Sequence, residues 1–184
     1  MNDSTRNRIG VGAPRQGGPP LAPLAAISLG LLLVGLGIGV ALGGMMPLPY
    51  AAGTTVADYI GGAHAAVHAS AVGVFASSVP LAIYAATASA RLRQLGVTAP
   101  GATIALAGGV LAAGSLGLAG LLGWTLSRPE VSTDVPLVRA LYYLVFLTGG
   151  TAHVVALGLL VAGIAVPGLI LGLLPRWLGW SGQE

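Results

Sequence analysis

The sequence contains no cysteine and no lysine, only two phenylalanines, and only 7% charged residues. The missing cysteine excludes disulfides, thiolate metal sites and a cysteine nucleophile. The scarcity of charge excludes an ordinary hydrated surface, since soluble domains carry about 25% charged residues. All eight basic residues are arginines, and the formal net charge is only +3. So small an excess beside apolar spans reads as an orientation signal and anionic-lipid contact, not as nucleic-acid binding. What the chain has instead is apolar: 55% of its 184 residues are hydrophobic and 30 are glycine. An arginine-only, Ala/Gly-rich composition also suggests a GC-rich bacterial genome.

Residues 1–20 are polar, with Arg6, Arg8, Arg15 and a Gly17-Gly18-Pro19-Pro20 break, and are expected to form a disordered cytoplasmic tail. Four long apolar runs follow, near 21–46, 59–90, 102–126 and 137–165, inside an apolar region spanning 21–174. Each is long enough to cross a hydrocarbon core of about 30 Å as a helix. Basic residues ahead of the first run resemble the start of a signal peptide, but its apolar core is too long for that, so an uncleaved helix is expected. Pro47 and Pro49 end it. The second run is longer than one crossing needs, which implies tilt, a kink near Pro80, or projection beyond the bilayer. Pro167-Gly168 divides the last run, so the fourth helix is expected to stop near Ala165. An interfacial segment within 166–184 would follow, with Arg176, Trp177 and Trp180 at headgroup depth.

The expected architecture is therefore all-α: a polytopic four-transmembrane-helix bundle with a short interfacial C-terminal segment. Arg6, Arg8, Arg15, Arg91, Arg93 and Arg176 then share one side, and only Arg128 and Arg139 lie on the other. This bias places both termini in the cytoplasm and the chain in a plasma (inner) membrane.

Gly35, Gly39 and Gly43 recur every four residues on the first helix, and Gly109, Ala113 and Gly117 do so on the third. Ala69, Gly73 and Ser77 form a similar row on the second. Such rows let helix backbones approach closely. They fit packing within the bundle or, on the first helix, a homodimer face; another membrane subunit is a further possible partner beside the lipid bilayer.

The candidate chemistry rests on histidines, because an ionisable residue at membrane depth is costly unless it is paired and is therefore a functional candidate. His64 and His68 share a helix face, and His153 lies in the middle of the fourth run. One reading has them neutral, bonded to hydroxyls or carbonyls such as those of Ser70, Thr148, Thr151 or Tyr142. In a second, His68 and His153 ligate a b-type haem, or all three histidines hold a metal ion. In a third they line a proton or solute path. Asp58, Glu130, Asp134 and Arg139 fit a plain solvated rim better than a ligand site. No Walker loop or GxSxG elbow is present, and Ala65 occupies the glutamate position of a zinc-protease HExxH. The reading is a non-catalytic bundle without a cofactor, with a histidine-dependent haem, metal or transport site as the alternative.

The run Ser78-Val79-Pro80-Leu81-Ala82-Ile83-Tyr84, followed by Arg91-Leu92-Arg93-Gln94-Leu95-Gly96 and Leu174-Pro175-Arg176-Trp177-Leu178-Gly179-Trp180, resembles an uncharacterised family of small multi-pass membrane proteins from actinobacteria. The resemblance implies membrane class and topology, and no site residue. Members of that group often continue into further helices, so it also implies either a short or a truncated member. The topology has a direct measurement: a reporter fused after Glu184 is expected in the cytoplasm, and an extracellular signal would mean an odd number of crossings.

Overall fold

In the computed structural model, which describes residues 18–97 and 100–170, the described residues form helices joined by turns. These are α1 (Leu21–Gly43), α2 (Gly53–Gly62), α3 (His64–Gln94), α4 (Pro100–Leu126), α5 (Pro129–Ser132), α6 (Val135–Phe146), a π-helical segment (Leu147–Ala152) and α7 (His153–Ile170). Helices α1, α3 and α4, and the continuous α6–π–α7 rod, are the four spans long and apolar enough to cross a membrane. The protein is an all-α polytopic membrane bundle.

The helix ends follow local chemistry. Helix α1 stops at Gly43 because Gly44 turns to φ +74°, a left-handed conformation that favours glycine, three residues before Pro47. The second apolar run is two helices, not one. Gly61 and Gly62 weaken the end of α2, and Ala63 (φ −126°, ψ 36°) breaks the helix before His64 restarts it. The expected single span from residue 59 is therefore corrected to α2 plus a spanning α3 that continues to Gln94. Its far end is a Schellman turn. Gly96, at φ +82°, donates from N to Arg93 O, Val97 donates to Leu92 O, and the Leu92 and Val97 side chains are both buried. Proline opens α4, and Asp134 caps α6 by accepting from Leu137 N at 3.1 Å.

Two prolines lie inside helices without ending them. Pro80 is buried in α3, and nearby hydroxyls of Ser77 and Ser78 bond to the Val74 and Phe75 carbonyls. Pro167 lies inside α7, which runs on to Ile170. The expected stop near Ala165 is thus corrected. Pro167 packs at Gly101 on α4, so a neighbouring helix supports the position where the α7 hydrogen-bond ladder loses a donor. The rest of the expected interfacial segment, with Arg176, Trp177 and Trp180, lies outside the described residues, as do residues 1–17 of the expected tail.

Packing is serial: α1 lies along α3, α3 along α4, and α4 along α7. Half of the α4 apolar window is buried against 17% for α1, which makes α4 the central member and α1 a flank. The contacts are backbone-close. A Cβ on Gly35 would lie 2.5 Å from Gly73 Cα, one on Gly39 would fall on Ser70 Oγ, and one on Gly43 would lie 2.6 Å from Ala66 Cβ. Ser28 Oγ closes the same seam by donating to Ser77 O at 2.7 Å. The first-helix stripe is therefore used inside the chain, and the homodimer reading of that face is not what the fold does with it. The α3 residues that meet this stripe include Ala66, Ser70 and Gly73, with Ser77 bonded to Ser28.

Helix α4 carries two such rows. Gly109, Gly117, Gly120 and Gly123 meet Ala85, Ser78, Phe75 and Ala71 of α3. Gly101 and Gly108 meet Pro167 and the Ala156–Leu160 backbone of α7. At one end, α2 rests its Val56, Ala57 and Ile60 side on Val67, Leu126, Val138 and Tyr142; this is the capped end. At the opposite, turn end, Ala85, Leu92, Val97, Ala102, Ala105 and Leu160 form a second cluster. There Arg91 also donates to Gly18 O and Pro19 O, at 3.1 and 2.9 Å, holding the start of α1.

Substitutions on α1 test the seam. Gly39→Val is expected to cost about 2–3 kcal/mol through overpacking. Gly37→Val, where nothing lies within 4 Å, should be near neutral. Thermal or denaturant unfolding of the detergent-solubilised protein measures both.

Candidate functional site: a lateral crevice at His153

A row of four helices need not close on itself, and this one does not. Helix α1 packs along α3, and no extended contact joins it to α7. The space between them is occupied by two half-enclosed chambers. One, of about 290 Å³, lies toward the capped end and is lined among others by Leu36, Met46, Val67, Tyr142 and Gly149. The other, of about 330 Å³, lies toward the turn end beside Ala25, Ser28, Leu29, Tyr84, Val161 and Ile164. Leu32, Leu116 and His153 line both. Each volume lies at or near the lower end of small-molecule sites, about 300–1,000 Å³. A wider groove of about 870 Å³, lined by Leu111, Ser115, Thr151 and Val155, lies on the other face of the α4–α7 pair.

The π-helical segment sets the position of His153. Thr148, Gly149, Gly150 and Thr151 are poor α-helix formers, and Gly149 packs close to Ala119 on α4. One extra residue per turn here rotates everything after it by roughly 100° relative to a continuous α-helix. His153, the first residue of α7, is thereby aimed at α4. Its Nδ1 lies 2.9 Å from Ala112 O. A carbonyl only accepts, so Nδ1 carries the proton and donates. In the neutral ring, Nε2 is then left as a bare acceptor.

His68 has a different setting. Its Nδ1 is 3.3 Å from Ser127 Oγ, which itself donates to Trp124 O at 2.7 Å. The ring meets Trp124 edge-on, with centroids 4.6 Å apart, and Arg128 lies over the same indole at 5.9 Å. His64 opens α3; its Nδ1 is the one buried side-chain polar atom without a hydrogen-bond partner among the described residues.

The three histidines therefore do not converge. His153 meets α4 at Ala112, and His68 meets Trp124 of α4 and Ser127 just beyond its end. Twelve to fifteen residues of helix separate these points, or roughly 18–22 Å. Two nitrogens on one metal centre lie within roughly 4 Å of each other, so the proposed haem pairing of His68 with His153 is corrected. Among the described residues no three His, Cys, Asp or Glu side chains group as metal ligands.

His68 meets a hydroxyl and His153 a carbonyl, His64 Nδ1 meets neither, and none of the expected partner residues is used. Tyr142 donates to Pro47 O, and Thr148 to Leu144 O. At the rim, Asp134 caps α6 and Arg139 turns to Tyr143, with its guanidinium 5.8 Å from the ring centre. Leu32, Leu116, Trp124 and Ser127 carry no motif and were not legible as site residues. Gly108 and Gly101 were legible in principle, as a second small-residue row on α4.

No family model, curated protein or solved structure matches the chain. The separation of the histidines has a spectroscopic consequence. Haemin added to the purified protein is expected to give no six-coordinate, low-spin spectrum that depends on both His68 and His153. A Soret shift lost in each of His68→Ala and His153→Ala would overturn the geometry.

Proposed function

We propose that the protein is a non-catalytic integral membrane protein of a bacterial plasma membrane that holds a bilayer-soluble apolar molecule between α1 and α7. The observation that carries this reading is the pair of chambers meeting at Leu32, Leu116 and His153, walled by all four spans. A lipid-borne molecule reaches such a site sideways from the bilayer, without crossing a headgroup layer.

Two further polar side chains in the spans have a structural use. Ser28 and Ser89 donate to carbonyls of neighbouring helices, at 2.7 and 2.8 Å. Both termini are placed in the cytoplasm on the strength of the arginine distribution, which puts Arg91 and Arg93 at the turn end and Arg128 and Arg139 at the capped end. The resemblance to actinobacterial membrane proteins is consistent with this setting and adds no activity.

A second reading, a proton or solute path, draws on the position of His153 between the two chambers. It requires His153-dependent flux into liposomes, which the binding reading does not.

The test is saturable binding of a fluorescent octadecyl-chain probe to the protein in nanodiscs. Leu32→Trp fills the crevice and is expected to weaken binding at least tenfold. Leu33→Trp, on the outward face where Leu33 is 59% exposed, should leave it unchanged. Equal effects of the two substitutions, or no saturable binding, would contradict the proposal.

A further inference from the structure

His153 Nε2 has an unusual status. Among the described residues it has no hydrogen-bond partner, since the one contact of the ring runs from Nδ1 to Ala112 O. Yet it is not sealed, because the one enclosed and unpartnered polar side-chain atom among those residues is His64 Nδ1. His153 lines both chambers and is half-buried. An unpartnered, accessible Nε2 on a residue that lines both chambers sits deep in the membrane, where water is scarce and an unmet acceptor is costly.

The tautomer decides what satisfies it. With the proton held on Nδ1 by a carbonyl, a neutral ring offers Nε2 a lone pair and no hydrogen. A ligand carbonyl, ether or ester would find no donor there. A ligand hydroxyl would. The surroundings add a second restriction. Leu32 and Leu116 flank the same junction, and hydrocarbon walls run away from it in both directions, toward Val67 and Met46 on one side and toward Leu29 and Ile164 on the other. The hydroxyls of Tyr142 and Ser28, one in each chamber, already donate to Pro47 O and Ser77 O. Ser70 and Tyr84 each belong to a single chamber, so His153 is the polar side chain the two share.

We infer that the crevice selects a bilayer-soluble molecule carrying a hydroxyl between two hydrocarbon arms, with that hydroxyl donating to His153 Nε2 and one arm in each chamber. The inference rests on the binding reading above and deepens it by naming the ligand chemistry. No bond is made or broken; the Nδ1–H to Ala112 bond holds the acceptor in place, and Leu32 and Leu116 exclude ligands that are polar along their length.

The experiment uses the unmodified protein in nanodiscs and a matched pair of competitors, octadecan-9-ol and its methyl ether, displacing the fluorescent octadecyl probe. The alcohol is expected to compete about tenfold more strongly, because the ether covers the acceptor without meeting it. His153→Phe should reduce that ratio to about one while the ether still competes, and His153→Gln, which restores an acceptor, should recover part of it. Equal competition by alcohol and ether in the unmodified protein would overturn the hydroxyl inference and leave the crevice reading standing. Failure of both to displace a probe that binds saturably, or absence of saturable probe binding, would overturn the crevice reading itself.

Discussion

Close approach of helix backbones is the constraint on which this structure depends. Within a bilayer the hydrophobic effect does not drive one apolar helix onto another, because lipid tails are as apolar as leucine. What remains is dispersion at short range, weak Cα–H contacts and the occasional hydrogen bond. The chain supplies these along narrow stripes: Gly35–Gly39–Gly43 on α1, Ala66–Ser70–Gly73–Ser77 on α3, and two opposed rows on α4. Each stripe specifies one neighbour. Helix α4 has two and sits in the centre, whereas α1 has one and stays at the flank, with Leu33 and Val34 facing outward.

The crevice follows from this arithmetic of faces. Helix α1 presents its single small-residue stripe to α3, and its neighbouring side, with Ala25, Leu29, Leu32 and Leu36, has bulky residues but no matching partner on α7. Two packed clusters close the ends of the bundle, around Ile60 at the capped end and around Ala105 at the turn end, and the middle is left under-filled. The π-helical segment then places an imidazole at that under-filled level. A π turn with two glycines is a costly way to continue a helix. Here it directs His153, which lines both chambers, to the Ala112 carbonyl.

Much of the fold was legible in the sequence, because membrane spans announce themselves by length and apolarity alone. The four spans, the small-residue rows and the arginine-marked ends all come from that signal. The Ala63 break was missed because hydropathy does not distinguish one long helix from two; the Gly61-Gly62 pair was the available cue. The Pro167 stop was overcalled because, in lipid, a neighbouring helix can support a proline position, as Gly101 does. The site was less legible. Spacing put His64 and His68 on one face but said nothing about depth, and depth separates His68 at the Trp124 end of α4 from His153 at Ala112. The Leu32 and Leu116 walls are ordinary leucines, made distinctive only by tertiary packing.

The central claim is that α1 and α7 stand apart. The absence of native cysteine allows a clean measurement by oxidative cross-linking of cysteine pairs in membranes. Ala71→Cys with Gly123→Cys is the positive control: a Cβ at residue 123 would lie 3.2 Å from Ala71 Cβ, close to disulfide geometry. Leu29→Cys with Val161→Cys tests the mouth of the crevice, where both side chains are 57% exposed. The account expects the control pair to form a disulfide, and the crevice pair to resist it but be bridged by a longer bifunctional reagent. Disulfide formation at Leu29 and Val161 as fast as in the control would show that the bundle is closed and would contradict the account.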